Sequence, residues 1–222
     1  MMTTAITKRI ITLSQAEELF NLVRTADPAF FTEWQENLPD LTDAEKAVLD
    51  RVKARYRYHR AKGNLAEGVV NLVVLAPFLE LAGFYDPPFE IKGEVPVEIS
   101  VSRATREDTE EILRGRVDFL VVSQQLWVLL LESKGTEINL ELAIPQTLTY
   151  MMANPELSNP VFGMATNGGS FFFIKCDRTG TPQYDISRVF SHLPLQNELY
   201  EVLRILKGLR MSFVTVRNNS LN

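Results

Sequence analysis

The run Leu126-Trp-Val-Leu-Leu-Leu131 holds six consecutive apolar residues and stops at Glu132-Ser-Lys134. A strand with one wet face alternates apolar and polar side chains. A strand without that alternation is covered on both faces, so it lies inside a sheet with helices packed on each side. That requirement points to a layered α/β protein. It also makes Glu132 and Lys134 unusual, because two charges at the end of a buried strand are hard to explain as a solvated face.

The rest of the chain fits such a sheet. Helical patterning covers Ser14 to Thr25, a short piece around Ala29 to Leu38, and Thr42 to about Ala61, where Thr42-Asp-Ala-Glu45 has the form of a capping box. A further helix from about Ala66 to Ala82 is closed by Gly83, and Pro77 is expected to bend it. Strand patterning follows at Phe89–Lys92, Val95–Val101, Val117–Val122 and Leu126–Leu131. A helix ending near Asn154, strands at Val161–Ala165, Ser170–Ile174 and Tyr184–Val189, and a helix from Leu195 to Met211 complete the order. The reading is a mixed sheet flanked by helices on both faces. Residues 1–65 form an N-terminal helical extension and residues 66–222 the main domain. The βαβα rhythm of a dinucleotide-binding fold is absent.

Composition removes several classes of function. With 222 residues, 23 Lys+Arg and 28 Asp+Glu, the formal net charge is −5, so bulk charge does not suit coating nucleic acid or an anionic membrane. A local basic groove remains open. One cysteine, Cys176, excludes an intrachain disulfide, and with only His59 and His192 beside it no zinc cluster is expected. Cys176 lies in an apolar run and reads as a core residue. The greasiest segment, Val69 to Phe84, is broken by Asn71, Pro77 and Glu80, short of the roughly 18 apolar residues that span a bilayer. No membrane partner and a cytoplasmic location are expected.

The acidic-x-lysine tripeptide occurs twice, as Glu90-Ile-Lys92 and Glu132-Ser-Lys134. Only the second follows a complete hairpin, whose first strand carries Gly115-Arg-Val-Asp118. A three-residue loop centred on Gln124 would put Asp118 across from Leu130, making Asp118 and Glu132 diagonal neighbours about 7–8 Å apart on one sheet face. Two carboxylates so placed can share a hard cation such as Mg²⁺, with Mn²⁺ as its substitute. A one-residue slip would send Glu132 to the other face. Lys134, on the same face, can hold or help deprotonate a water and offset negative charge on a phosphorane-like transition state. Gln146 and Tyr150, one turn apart on the next helix, point the same way.

This ordered pattern, Gly115-x-x-Asp118, Glu132-x-Lys134 and Gln146-x-x-x-Tyr150, resembles the PD-(D/E)XK nuclease superfamily. It looks most like the nuclease domains of RecB-type enzymes and of type I restriction enzyme R subunits. The resemblance covers roughly residues 66–176 and implies a restriction-endonuclease-like fold. It makes Asp118 and Glu132 metal ligands, Lys134 the catalytic lysine, and Gln146 and Tyr150 phosphate-contacting or ordering residues. An acid on the preceding helix often joins the metal in that family, and Glu67 holds that position, with Glu80 a poorer choice. Val117 stands where the family name has proline. No phosphate-loop pattern occurs in these residues, so an ATP-driven motor beside the nuclease part is not expected.

The expected function is therefore a Mg²⁺-dependent DNA endonuclease, a stand-alone relative of the R-subunit nuclease domain. Homodimers or other restriction and repair subunits are further expected partners. The alternative is a catalytically inactive member of the same fold that binds nucleic acid or another protein. Basic residues gather on the long helix as Lys46, Arg51, Lys53, Arg55, Arg57, Arg60 and Lys62, and ahead of Asp118 as Arg103, Arg106, Arg114 and Arg116. Each group is either a solvated face or a phosphate-tracking one. Equally, Asp118 with Glu132–Lys134 could be a structural ion pair, and Glu67 a first-turn acid serving the helix dipole.

Overall fold

A computed structural model describes residues 2–103, 109–123, 126–137, 139–192 and 197–219. Among the described residues, nine strands form one mixed sheet. They are β1 (Met2–Ala5), β2 (Val23–Arg24), β3 (Phe89–Arg103), β4 (Thr109–Ser123), β5 (Leu126–Ser133), β6 (Val161–Thr166), β7 (Ser170–Asp177), β8 (Gln183–Ile186) and β9 (Phe190–Ser191). The order is β1-β4-β5-β6-β7-β8-β2, with β3 on β4 and β9 on β7. The apolar strand β5 is interior, antiparallel to β4 and parallel to β6.

Two apolar layers cover the sheet. One joins α3 (Asp43–Arg60), α4 (Glu67–Val70), α5 (Ala76–Ala82) and α7 (Leu199–Asn219) to Leu131, Phe162, Met164, Phe171 and Phe173. The other joins α1 (Ile6–Arg9), α2 (Leu13–Phe20) and α6 (Ala143–Met152) to Leu113, Leu120, Ala165, Phe172 and Ile174. Phe171 to Ile174 divide alternately between the layers, as the pleat requires. The mixed α/β class and the flanking helices are as the sequence indicates.

The capping signals are realised atom by atom. The Thr42 hydroxyl accepts from the Glu45 N–H at 3.2 Å while the Glu45 carboxylate accepts from the Thr42 N–H at 2.7 Å, closing the capping box. Gly83 caps α5 with φ 78°. Between α4 and α5, residues Asn71–Leu75 form a π-helical turn directly before Pro77. A widened turn thus stands beside the missing N–H of proline.

The N-terminal residues add strands to the sheet as well as helices to its faces: β1 runs parallel to β4 in the register Met2↔Glu111 to Ala5↔Arg114, and β2 pairs with β8. Ile6, Ile10, Ala16 and Leu22 belong to one apolar layer, and Phe31, Leu49, Val52 and Tyr56 to the other. Residues 29–38 make turns instead of a helix, ending at Asn37 with φ 52°. The helix expected from Ser14 to Thr25 stops at Phe20, because Asn21 takes a left-handed conformation and the chain turns into β2.

Because Ile6 is fully buried in this core, truncating it to alanine should cost about 2–5 kcal/mol. Urea denaturation of Ile6→Ala measures it; a loss within 0.5 kcal/mol, roughly the surface range, would contradict the packing described.

Candidate active site

The register between β4 and β5 decides whether the carboxylates meet. Phe119 pairs with Leu131, Leu120 with Leu130 and Val121 with Leu129; after an irregularity at Val121/Val122 the pairs become Val122↔Trp127 and Ser123↔Leu126. Continued one step, the inner register sets Asp118 directly opposite Glu132. The expected partner, Leu130, pairs with Leu120 instead. The shift from expectation is two residues, an even number, so Asp118 and Glu132 still share a face, now as direct rather than diagonal neighbours.

Glu132 lies near the end of β5 with its side chain fully buried. Its Oε2 accepts from Lys134 Nζ at 3.0 Å and from Gln146 Nε2 at 3.2 Å. Its Oε1 is buried and accepts from no neighbour. Burial, and then the Asp118 charge, push the Glu132 carboxyl up to about 8, against the pull of Lys134. Burial works to lower Lys134, but Glu132 first, and Asp118 and Glu67 after it, carry the ammonium above its ordinary value. Lys134 is aimed by its own backbone, whose N–H donates to the Thr166 carbonyl at 2.8 Å and extends the β5–β6 ladder.

Asp118 is held from the strand end: its Oδ2 accepts from the Ser133 N–H at 2.7 Å and from the Ser133 hydroxyl at 3.2 Å. Gln146 bridges the layers, donating to Glu132 and to the Tyr150 hydroxyl at 2.9 Å. That hydroxyl also accepts from the Arg116 N–H at 3.3 Å, tying α6 to β4. A Cβ on Gly115 would lie 2.5 Å from Tyr150 Cε1 and 2.9 Å from its hydroxyl oxygen, so only glycine leaves room for the ring there. Gln146 and Tyr150 therefore order Glu132 through a connected network.

Glu67 arrives from the opposite layer. The Thr136 N–H donates to the Leu65 carbonyl at 3.1 Å, and the Leu65 N–H donates to the Thr136 hydroxyl at 2.9 Å. Gly135 passes so close that a Cβ would stand 3.2 Å from the Leu65 oxygen. This clasp brings the start of α4 beside Lys134. Partial withdrawal from water, and then the Asp118 charge, raise the Glu67 carboxyl, with Lys134 opposing. Glu80, exposed near Tyr85 at the far end of the same segment, is not part of the site.

The other sequence candidates separate cleanly. Glu90 and Lys92 make an exposed pair at 3.5 Å, a surface contact of little energetic weight. Arg114 pairs with Glu98 at 2.7 Å and Arg116 with Glu94 at 3.0 Å, all well exposed. Arg106 lies outside the described residues, as does the side chain of Arg103. Cys176 is buried and its thiol is pushed up to about 12 by that burial, which suits a packing role. Ser133 and the Leu65–Thr136 clasp had no part in the chemistry read from sequence, and Gly115 entered only as a member of the Gly115-x-x-Asp118 pattern, without a role. Serine inside Glu-x-Lys and glycine three residues before Asp118 were the available signals.

The donor set fits a hard cation. Asp118 and Glu132 offer oxygen only, and Glu132 Oε1 is a buried acceptor with nothing to accept. Among the described residues no three His, Cys, Asp or Glu side chains converge into a closed cage. A two-carboxylate site suits Mg²⁺, which keeps waters and takes further oxygens from substrate phosphates.

No family model and no curated protein matches the chain. Solved structures that do match include a fragment assigned to an HsdR subunit of a type I restriction enzyme from Vibrio vulnificus YJ016. That match has 17% identity and a TM-score of 0.40, and covers 65% of this chain and 26% of the other. The functional reading stands on the side chains. No helix among the described residues is long and apolar enough to cross a membrane.

Two outcomes are expected. Gly115→Ala should displace the Tyr150 ring and cost about 1–3 kcal/mol by overpacking, with a changed Tyr150 environment in near-ultraviolet dichroism or NMR. In EDTA, the folded state keeps the Glu132 proton up to about pH 8 while the unfolded chain releases it near 4.5. Stability should therefore fall as pH rises through that window and level off above it. Glu132→Gln should flatten that part of the pH–stability curve; an unchanged slope would mean Glu132 does not carry it.

Proposed function

We propose that this protein is a metal-dependent nuclease that hydrolyses phosphodiester bonds in DNA, within a restriction-endonuclease-like fold of the PD-(D/E)XK type. The observation that carries the reading is the buried Glu132 carboxylate, with one free oxygen, facing Asp118 and flanked by Lys134. Burying a carboxylate next to another is costly, and a structural ion pair would not need the second acid or the unfilled acceptor. Bound between Asp118 and Glu132, Mg²⁺ or Mn²⁺ would supply Lewis-acid polarisation of the phosphate and a more acidic water.

The chain's own groups then divide the remaining work. Lys134 presents a positive charge to the reacting phosphate and orients the water through its ammonium. Gln146 holds Glu132 in place and Tyr150 holds Gln146, so both are positioning residues. Ser133 fixes the Asp118 rotamer. Glu67, whose charge acts on Lys134 and whose carboxyl is raised in part by Asp118, would serve the cation as a further acid beside Asp118 and Glu132.

Plasmid and oligonucleotide cleavage with Mg²⁺ or Mn²⁺, beside EDTA, tests this. Lys134→Ala should lower the cleavage rate about 10²–10³-fold, the cost of one preorganised transition-state donor, with its folded dichroism retained. Mg²⁺ should raise the melting temperature of the wild type and not that of Glu132→Gln. Equal rates in wild type and Lys134→Ala would overturn the assignment. The lack of a three-ligand cage among the described residues favours one other reading, an inactive nuclease-fold module that binds DNA. It predicts no metal-dependent melting shift with DNA binding intact.

A further inference from the structure

The helix α3 is acidic at one end and basic at the other. Its acids are already engaged: Asp43 meets Lys46 at 3.5 Å, Glu45 pairs with Lys207, and Asp50 accepts from Asn197 and Tyr200. Beyond Asp50 no acid occurs until Glu67, while six Lys and Arg residues do. Leu49, Val52 and Tyr56 seat one face of the helix in the core. Arg51, Arg55, Tyr58 and Lys62 recur at four, three and four residues, so they share a stripe turned away from that face. All four are exposed, Tyr58 at 60%, and Lys62 Nζ lies 4.0 Å from the Tyr58 ring centroid. Among the described residues, no carboxylate pairs with Arg51, Arg55 or Lys62. A merely solvated helix face gains by pairing its charges; this one leaves a row of the same sign in a protein whose net charge is −5.

We propose that this stripe binds the phosphodiester backbone of the nucleic acid that the site at Glu132 acts on. The inference rests on the nuclease reading for its choice of substrate, and on its own geometry for the surface. From Arg51 to Lys62 the stripe runs about 16 Å at 1.5 Å per residue. Projected on a duplex axis, that length takes in about five phosphates of one strand, at one per 3.4 Å of axis. It ends two residues before Asn64, whose side chain donates to Glu137, and three before Leu65, which is clasped to Thr136. Both partners lie just after Lys134 in the chain. A strand laid along the stripe is therefore led toward the carboxylates. Tyr58 offers the ring face not taken by Lys62 to an unpaired base, and two guanidiniums with an ammonium suit phosphate oxygens in either single or double strands. A membrane surface fits poorly, since the stripe has no Leu, Phe or Trp to insert.

The test is fluorescence anisotropy in EDTA with labelled single-stranded and duplex oligonucleotides, titrated over a range of salt. Arg51→Ala/Arg55→Ala/Lys62→Ala should weaken binding about tenfold or more and lower the slope of log K against log salt by about 2 to 3. Tyr58→Ala should weaken the single strand alone if bases stack there. A control, Lys8→Ala/Arg24→Ala/Lys92→Ala, removes the same charge from other exposed positions and should change binding little. Unchanged affinity in the stripe variant, an equal loss in the control, or binding to phosphatidylserine vesicles but to no oligonucleotide would overturn the proposal. The two readings fail separately. Stripe-dependent binding with no metal-dependent cleavage removes the nuclease assignment alone. Cleavage that loses nothing in the stripe variant, with binding unchanged, removes the stripe alone.

Discussion

Glu132 is carried into the interior by a strand that has to be buried, and the surroundings are arranged around the cost of that charge. An isolated carboxylate at that depth would take up a proton or force the strand apart. Here the ammonium of Lys134 and the amide of Gln146 converge on one oxygen, Tyr150 steadies the amide, and Gly115 makes way for Tyr150. Four elements, β4, β5, β6 and α6, are thereby committed to a few ångströms of geometry. One acceptor is left unfilled beside a second carboxylate, and the proposed metal-dependent chemistry rests on that incomplete compensation.

Much of this could be read from residue order because sheet faces depend on parity alone. The Ser123↔Leu126 pair lies one step off the expected register and the ladder shifts by one more at Val121/Val122, yet Asp118 and Glu132 stay on one face. Two odd errors summed to an even one. The same economy explains why Glu132 could be chosen over Glu90: both sit in acidic-x-lysine, but only one closes a strand with no polar alternate. Capping at Thr42 and at Gly83 was equally legible, since caps are local hydrogen-bonding problems solved by a few neighbouring atoms.

Non-local pairing was not legible. Met2–Ala5 is four residues with no periodicity of its own, and it is a strand only because β4, over a hundred residues later, supplies an edge. Residues 29–38 carry enough helix formers to suggest a helix, but Asn37 in the left-handed region and the turns before it take the chain elsewhere. Ser133 gave no sign of its bond to Asp118, because that contact depends on where the β4–β5 ladder stops. The site's composition was thus visible earlier than its scaffolding.

The π-helical turn at Asn71–Leu75 acts as an angular device. A π turn holds one more residue than the α turn it replaces, which rotates the helix on its N-terminal side by about 100° relative to the C-terminal side. Phe78, Leu79 and Ala82 seat the later half of the segment in the core and Val70 seats the earlier half, so the extra residue sets how the earlier half, and Glu67 with it, is turned relative to the later. The azimuth of that acid toward Asp118 and Lys134 is accordingly set about a turn or two further along the chain, at a position with no chemistry of its own. A single-residue deletion between Asn71 and Leu75 would leave every site side chain present and swing Glu67 off the cluster. Insertions and deletions there, rather than substitutions, are the changes to which the acid's placement is most exposed.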